Sequence, residues 1–286
     1  MSLKIRQLSY AMGAEIIGVD IRKPMDDQTF EEVHAAFLKY CVLLFRGQEF
    51  TRQQFIAFSE SFGELEDEDK ILRHAVNVKD KEDIKILTAK FPVPVSESWH
   101  SDKNNKLVPT MATLLRAIEV PDVGGDTMLS NQYLAYETLS EGMKKLIDKL
   151  DGIYPGSKGR LDESTPERLA ETMRVNAPVA QPLARVHPET GRKSLFLGER
   201  VKKIVGMTEE ESKPLLDFLM QHSSRPQFVY RHVWQKNDLL MWDDRCTNHM
   251  AVGDYDRTQV RHTERTCVVG TPSGFIYDGP LTVKYA

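Results

Sequence analysis

Two residues set close together, His100 and Asp102 within Trp99-His100-Ser101-Asp102, and one histidine far downstream, His249, place the tightest limit on how this chain can fold. Side chains on an extended strand alternate with period two, so His100 and Asp102 point to one side. One imidazole nitrogen and one carboxylate oxygen can then reach a common point. If His249 supplies a third donor, an early and a late strand must meet beside one cavity. Two histidines and one carboxylate, with the opposite face of the ion open, suit non-haem Fe(II). The same donor set also serves catalytic zinc.

The rest of the chain reads as many short strands with helices gathered early. Strands are expected over 4–8 and 14–19, joined by a turn at Gly13, and the apolar run 41–45 reads as a strand buried on both faces. Asp26 and Thr51 are placed as caps of helices over 27–39 and 51–63. Further strands are expected at 84–87, 111–120, 227–234, 238–242 and 263–270, and a strand, turn and strand over 185–197. Helices are expected over 132–139, 141–149 and 208–222, the last with Glu209, Glu210 and Glu211 favourably placed in its first turn. Residues 151–180 are polar and lack periodicity, and read as a mobile insertion. No internal repeat or second core is evident. The fold class expected is β-rich α+β, a double-stranded β-helix (jelly roll) with flanking helices, in one domain over 1–286.

Composition removes several functional classes. The 286 residues carry a formal net charge of −4, which gives no general pull toward nucleic acid or anionic membrane. No apolar window of membrane-spanning length and no secretory leader pattern is present, so a cytoplasmic location is expected. Cys41, Cys246 and Cys267 are odd in number and far apart, and read as reduced thiols.

Of the eight histidines, His34 and His222 fall in helices among charged residues and read as surface groups; His187, before Pro188, reads as a turn residue. His232 reads as a strand residue, His262 as facing away from Arg261, and His74 as a loop residue that lies near substrate or in solvent. An apolar strand, Asp238 to Trp242, runs into a polar turn, Asp243-Asp244-Arg245, that delivers His249. Arg261 and Arg265 follow, four apart and so on one face of a strand. A guanidinium fork binds carboxylates in bidentate fashion, so two such groups near a metal imply anionic ligands. Ordinary surface ion pairs are the plainer alternative for each.

Taken together, Phe45-Arg-Gly-Gln48, Phe62-Gly63, Trp99-His-Ser-Asp102, Gly124-Gly-Asp-Thr127, Val186-His-Pro-Glu-Thr-Gly191, Trp242-Asp-Asp-Arg245, His249 and Arg261-x-x-x-Arg265 resemble the taurine dioxygenase group of Fe(II)/2-oxoglutarate-dependent dioxygenases, phenoxyalkanoate herbicide dioxygenases included. The resemblance implies that His100, Asp102 and His249 hold the iron, and that Thr127 and Arg261 meet the far carboxylate of 2-oxoglutarate. It implies Arg265 at the anionic group of the primary substrate or assisting at the co-substrate, with Trp99 and His74 beside the site. O2 is the second co-substrate, succinate and CO2 are products, and a homodimer or tetramer is expected. After Phe62-Gly63 the taurine enzymes carry a histidine that helps to hold the sulfonate, where this chain has Glu64. A carboxylate or another small acid is therefore as suitable a substrate as taurine. The rival readings are a zinc hydrolase on the same three residues and a non-catalytic barrel that binds a small acid.

Overall fold

The computed structural model describes residues 3–66, 72–76 (backbone only), 97–156, 165–167 and 176–280. In chain order the strands are β1 (Lys4–Gln7), β2 (Ala14–Ile17), β3 (Val42–Phe45), β4 (Leu72–Val76), β5 (Thr110–Glu119), β6 (Thr127–Asn131), β7 (Asp151–Tyr154), β8 (Val179–Pro182), β9 (Ala184–Val186), β10 (Lys193–Leu195), β11 (Lys203–Ile204), β12 (Val229–His232), β13 (Leu239–Asp243), β14 (Thr247–Ala251), β15 (Arg261–Val269) and β16 (Phe275–Ile276). The helices are α1 (Asp27–Tyr40), α2 (Arg52–Glu60), α3 (Gln132–Glu137), α4 (Glu141–Ile147) and α5 (Glu209–Ser223).

A seven-stranded sheet, ordered β1-β2-β3-β13-β5-β15-β4, forms the frame. A three-stranded sheet, β12-β6-β14, a four-stranded sheet, β11-β7-β8-β16, and the ribbon β9-β10 complete the strands. The large sheet is covered on both faces, which explains the unbroken apolar runs in β3 and β13. One face presents Leu43, Phe45, Leu114, Leu239, Met241 and Val268 to α1 and α2, where Val33, Phe37, Phe55 and Phe58 pack. The other presents Val42, Leu44, Leu115, Leu240 and Trp242 toward Leu129 of β6 and Tyr230 of β12. A third core gathers α3, α4 and α5 with Tyr154, Leu195 and Ile204. Burial of this kind stabilises by about 25 cal/mol per Å² of apolar surface removed from water.

The expected caps are in place. Asp26 accepts from the Thr29 amide, and Thr51 and Thr208 each form a reciprocal capping box, with Gln54 and Glu211. Among the described residues no helix is long and apolar enough to cross a membrane, and all three cysteines are free thiols.

Three expectations need correction. Residues 151–154 and 179–182 are paired strands, β7 with β8, because backbone pairing and burial of Ile153, Tyr154 and Ala180 outweigh the polar stretch between them; the rest of the expected insertion falls mostly outside the described residues, as does the strand expected at 84–87. His222 is not a surface group: it is buried, and its Nε2 donates to the Ala135 carbonyl at 2.8 Å. His187 sits at a turn, as expected, and is buried and hydrogen-bonded to Asp243. The backbone of His74 lies in β4 opposite Thr263, not in a loop.

Burial holds His222 below the ordinary histidine value of 6.5, against the pull of its Ala135 hydrogen bond, and burial does the same to His232, against nearby Asp238. Both stay neutral when folded, while an unfolded chain protonates them, so stability is present above about pH 6.5 and is lost as pH falls below it. The melting temperature is expected to drop between about pH 7.5 and pH 5, and to drop less in His222→Gln; an unchanged slope in that variant contradicts the assignment.

Candidate metal centre

His100 is joined to His249 by a single antiparallel bridge: His100 N donates to His249 O at 3.1 Å, and His249 N to His100 O at 2.7 Å. Residues that exchange both backbone bonds stand directly opposite, with side chains on the same face. Their rings accordingly lie 4.3 Å apart. His249 is in the middle of β14, an addition to the polar turn read from the sequence. The backbone after His100 does not continue as a strand. It turns at Asp102, with Lys103 in the left-handed region at φ 51° and its ammonium 2.8 Å from Glu66. The bridge and this turn, not strand alternation, bring the carboxylate back to the imidazoles.

Donor atoms of His100, Asp102 and His249 all lie within 4.8 Å of one another, and His100 Nε2 is 3.8 Å from Asp102 Oδ1. His100 Nδ1 is 2.7 Å from the Ser98 carbonyl, which can only accept, so Nδ1 carries the hydrogen and Nε2 keeps its lone pair. His249 Nδ1 is buried without a hydrogen-bond partner among the described residues. Burial and the neighbouring His100 push the His249 pKa down to about 3, which keeps the ring neutral and able to ligate. Burial opposes ionisation of Asp102, but the Arg265 guanidinium, helped by a hydrogen bond from Thr113, holds its carboxyl well below the usual range. Arg265 Nη1 reaches both carboxylate oxygens, at 3.1 and 2.9 Å. One carboxylate and two imidazole donors, all within reach of a common point, fit a divalent ion.

The glycine turn stands beside this group. Gly124 and Gly125 take φ of 79° and 70°, where other residues are strained, and a side chain on Gly124 would strike the Asp254 carbonyl at 2.3 Å. Arg261 Nε donates to the Gly125 carbonyl at 3.1 Å. No carboxylate among the described residues pairs with Arg261, and burial lowers its pKa. Thr127 is buried on β6, and its hydroxyl accepts from Trp234 Nε1 at 3.0 Å, leaving its own hydrogen to donate. The Arg261 guanidinium, bound to the Gly125 carbonyl, and the hydroxyl of Thr127, two residues after Gly125, each keep hydrogen-bonding capacity for an anion. Trp99 is half-buried, and its carbonyl accepts from the Glu199 amide; the side chain of His74 lies outside the described residues.

A second group, His187, Asp243 and Cys246, also brings donor atoms within 4.8 Å. Here the lone pairs are spent. His187 Nδ1 accepts from the amides of Glu189 and Thr190, so Nε2 donates to Asp243 at 3.0 Å. Arg245 donates to both Asp243 oxygens at 2.8 Å. This is a closed network that ties the motif Val186 to Gly191 to the turn after β13. Two residues close to Asp102 carry less sequence signal. Thr113 is an unremarked position in a strand, and Asp244 is visible only as part of Trp242 to Arg245; both touch Asp102.

A converged His-Asp-His group able to hold a divalent ion marks a metal-centred class of protein. Residues 4–267 match the family model described as taurine catabolism dioxygenase TauD, TfdA family, and the chain belongs to that family. It is 33% identical to the alkylsulfatase of Acinetobacter baylyi over 88% of this chain and 81% of that protein. It is 32% identical to the (S)-phenoxypropionate/alpha-ketoglutarate-dioxygenase of Sphingobium herbicidovorans, over 94% and 96%, and 31% identical to the alpha-ketoglutarate-dependent sulfate ester dioxygenase of Pseudomonas putida, over 99% and 94%. The crystal structure of a taurine dioxygenase from Burkholderia xenovorans superposes with a TM-score of 0.79 at 32% identity, covering 96% of this chain and 93% of that one. That of AAD-2 in complex with Mn(II) and N-oxalylglycine gives 0.79 at 31%, covering 96% and 100%. These names favour the oxygenase reading over the zinc hydrolase and the binding protein.

The two groups are separable by titration. Mn(II) is expected to bind the purified chain at one site, more than about 100-fold more weakly in His100→Ala, since even outer partners of a metal site are worth 10–100-fold. His187→Ala is expected to stay within about 3-fold of the parent; the reverse ranking contradicts the assignment.

Proposed function

We propose that this chain is an Fe(II)/2-oxoglutarate-dependent dioxygenase that hydroxylates a small anionic organic molecule. When bound, the ferrous ion and 2-oxoglutarate supply the oxidising power: O2 is consumed, the co-substrate leaves as succinate and CO2, and a C–H bond becomes C–OH. Where the hydroxylated carbon carries a heteroatom, the product collapses and that bond is cleaved. The observation that carries the reading is the shared face of His100, Asp102 and His249, within a chain of this family.

Each residue then has a job. His100, Asp102 and His249 hold the metal and leave its other face open. Arg261 and Thr127 grip the far carboxylate of 2-oxoglutarate: the guanidinium supplies charge, and the hydroxyl, oriented by Trp234, supplies a directed hydrogen. Burial strengthens that pairing by lowering the effective dielectric. Arg265 fixes Asp102 through Nη1. Its Nη2 has no partner among the described residues and is the cation offered to the anionic group of the primary substrate. Trp99 and His74 complete the substrate side.

The substrate classes are sulfate esters, aryloxyalkanoates and sulfonates, the classes for which similar dioxygenases are named. Glu64, in place of a histidine after Phe62-Gly63, favours the first two over taurine. The fold we infer is a jelly roll in a single domain, with the metal between the seven-stranded and three-stranded sheets. We infer a cytoplasmic homodimer or homotetramer; the mild net charge accords with a lack of nucleic-acid or membrane partners.

The test is a panel of alkyl sulfates, aryloxyalkanoates, alkyl sulfonates and amino acids, assayed for substrate-dependent succinate with Fe(II), O2 and 2-oxoglutarate. At least one anionic class is expected to raise succinate formation. Turnover with Zn(II) in the absence of O2 would instead establish hydrolysis. Arg261→Gln should raise KM for 2-oxoglutarate by roughly 30-fold or more, because losing one member of a buried charge pair costs about 2–5 kcal/mol. An unchanged KM removes Arg261 from the co-substrate site.

A further inference from the structure

Asp244 is fully buried, and among the described residues no lysine or arginine pairs with it. A carboxyl in that position is costly unless its oxygens are occupied. They are occupied by the surroundings of the candidate metal centre. Oδ1 accepts from the Asp102 amide at 2.9 Å and from Trp242 Nε1 at 3.3 Å. Oδ2 lies 2.7 Å from the Thr113 hydroxyl, which is also 2.9 Å from Asp102 Oδ2. The Asp244 carbonyl accepts from Ser101 Oγ at 2.7 Å. Trp242 in turn packs against His249, with ring centroids 4.7 Å apart, and the partnerless His249 Nδ1 is 3.8 Å from Asp244 Oδ1.

One residue thus reaches the backbone of the Ser101-Asp102 turn, the hydroxyl that orients the Asp102 carboxylate, and the indole that supports His249. Its neighbour Asp243 does nothing of the kind, being held by Arg245 and His187. The large sheet makes this possible. Thr113 pairs with Trp242 and Cys267 in register, so its side chain stands on the face where Arg265 and Trp242 also stand. The Asp244 amide donates to Met111 O at 3.0 Å, which anchors the residue to β5 independently of its side chain.

We propose that Asp244 is a positioning residue: it clasps the early turn carrying Asp102 to the late strands carrying Trp242 and His249, and so sets the affinity and coordination geometry of the metal centre. The inference rests on the metal-site reading above. Asparagine at this position can accept the same two N–H bonds through its carbonyl oxygen and donate to Thr113 Oγ1, so shape and hydrogen-bond pattern, not charge, carry the role.

The test is equilibrium titration of the metal-free full chain with Mn(II), together with the visible absorption of the Co(II)-loaded protein. Asp244→Ala is expected to bind Mn(II) roughly 10–100-fold more weakly and to alter the Co(II) spectrum. Asp244→Asn is expected to restore affinity to within about 3-fold and to recover the parent spectrum. Wild-type affinity in a folded Asp244→Ala overturns the proposal, as does an Asp244→Asn as weak as the alanine variant. Should Asp244→Ala fail to melt cooperatively, Ser101→Ala and Thr113→Val take its place: each removes one hydroxyl of the clasp and is expected to weaken Mn(II) several-fold, and parent-like binding in both overturns it. His100→Ala separates the layers. If it loses Mn(II) while Asp244→Ala keeps it, only the clasp is wrong; if it binds as the parent does, both readings fall.

Discussion

The structure depends on keeping the Asp102 carboxylate ionised inside the protein. An isolated buried carboxylate is strongly disfavoured and would simply take up a proton. Arg265 prevents this by placing one nitrogen on both oxygens, and Thr113 adds a hydrogen bond from below. Of the two imidazoles alongside, one is oriented by the Ser98 carbonyl at its Nδ1 and the other is kept neutral by burial. A carboxylate flanked by two imidazole nitrogens is a donor set suited to a divalent cation.

The β-framework supplies that setting because the large sheet has two different faces. Along β15 the even positions Glu264, Thr266 and Val268 turn toward the helices: Glu264 pairs with Arg52, Thr266 hydrogen-bonds Ser59, and Val268 joins the core. The odd positions Arg265 and Cys267 turn the other way, toward Asp102 and Thr113. One strand therefore serves stability with one side and chemistry with the other. Its pairing with β5, and that of β13 with β5, fixes the register on which Arg265, Thr113 and Trp242 meet. A slip of one residue would turn Arg265 out of the site.

Much of this was legible in the chain. Caps at Asp26 and Thr51 and the doubly buried run at 41–45 follow from local chemistry and spacing, and the residues that converge, His100, Asp102 and His249, were identified correctly although the geometry that joins them was not. What was not legible has physical reasons. His222 sits among polar neighbours, and only the packing of α5 on α3 reveals that it is buried. β7 and β8 are short and pair across a polar stretch, so periodicity gives no warning of them. The extended backbone expected at 100–102 is instead one bridge and a turn, a tertiary outcome set by His249 on β14 and by Lys103. Thr113 is an ordinary strand residue until the opposing turn is laid against it.

The second donor group, His187-Asp243-Cys246, shows why proximity alone does not make a metal site. Its atoms are as close together as those of the first, but every strong donor is already engaged, and Arg245 neutralises the carboxylate. Lone-pair accounting, not distance, separates the two. The most direct measurement is an anomalous difference map at the manganese edge from crystals grown with Mn(II). One strong peak touching His100, Asp102 and His249 is the result expected here; a peak at His187-Asp243-Cys246, or none at the first group, would contradict the account.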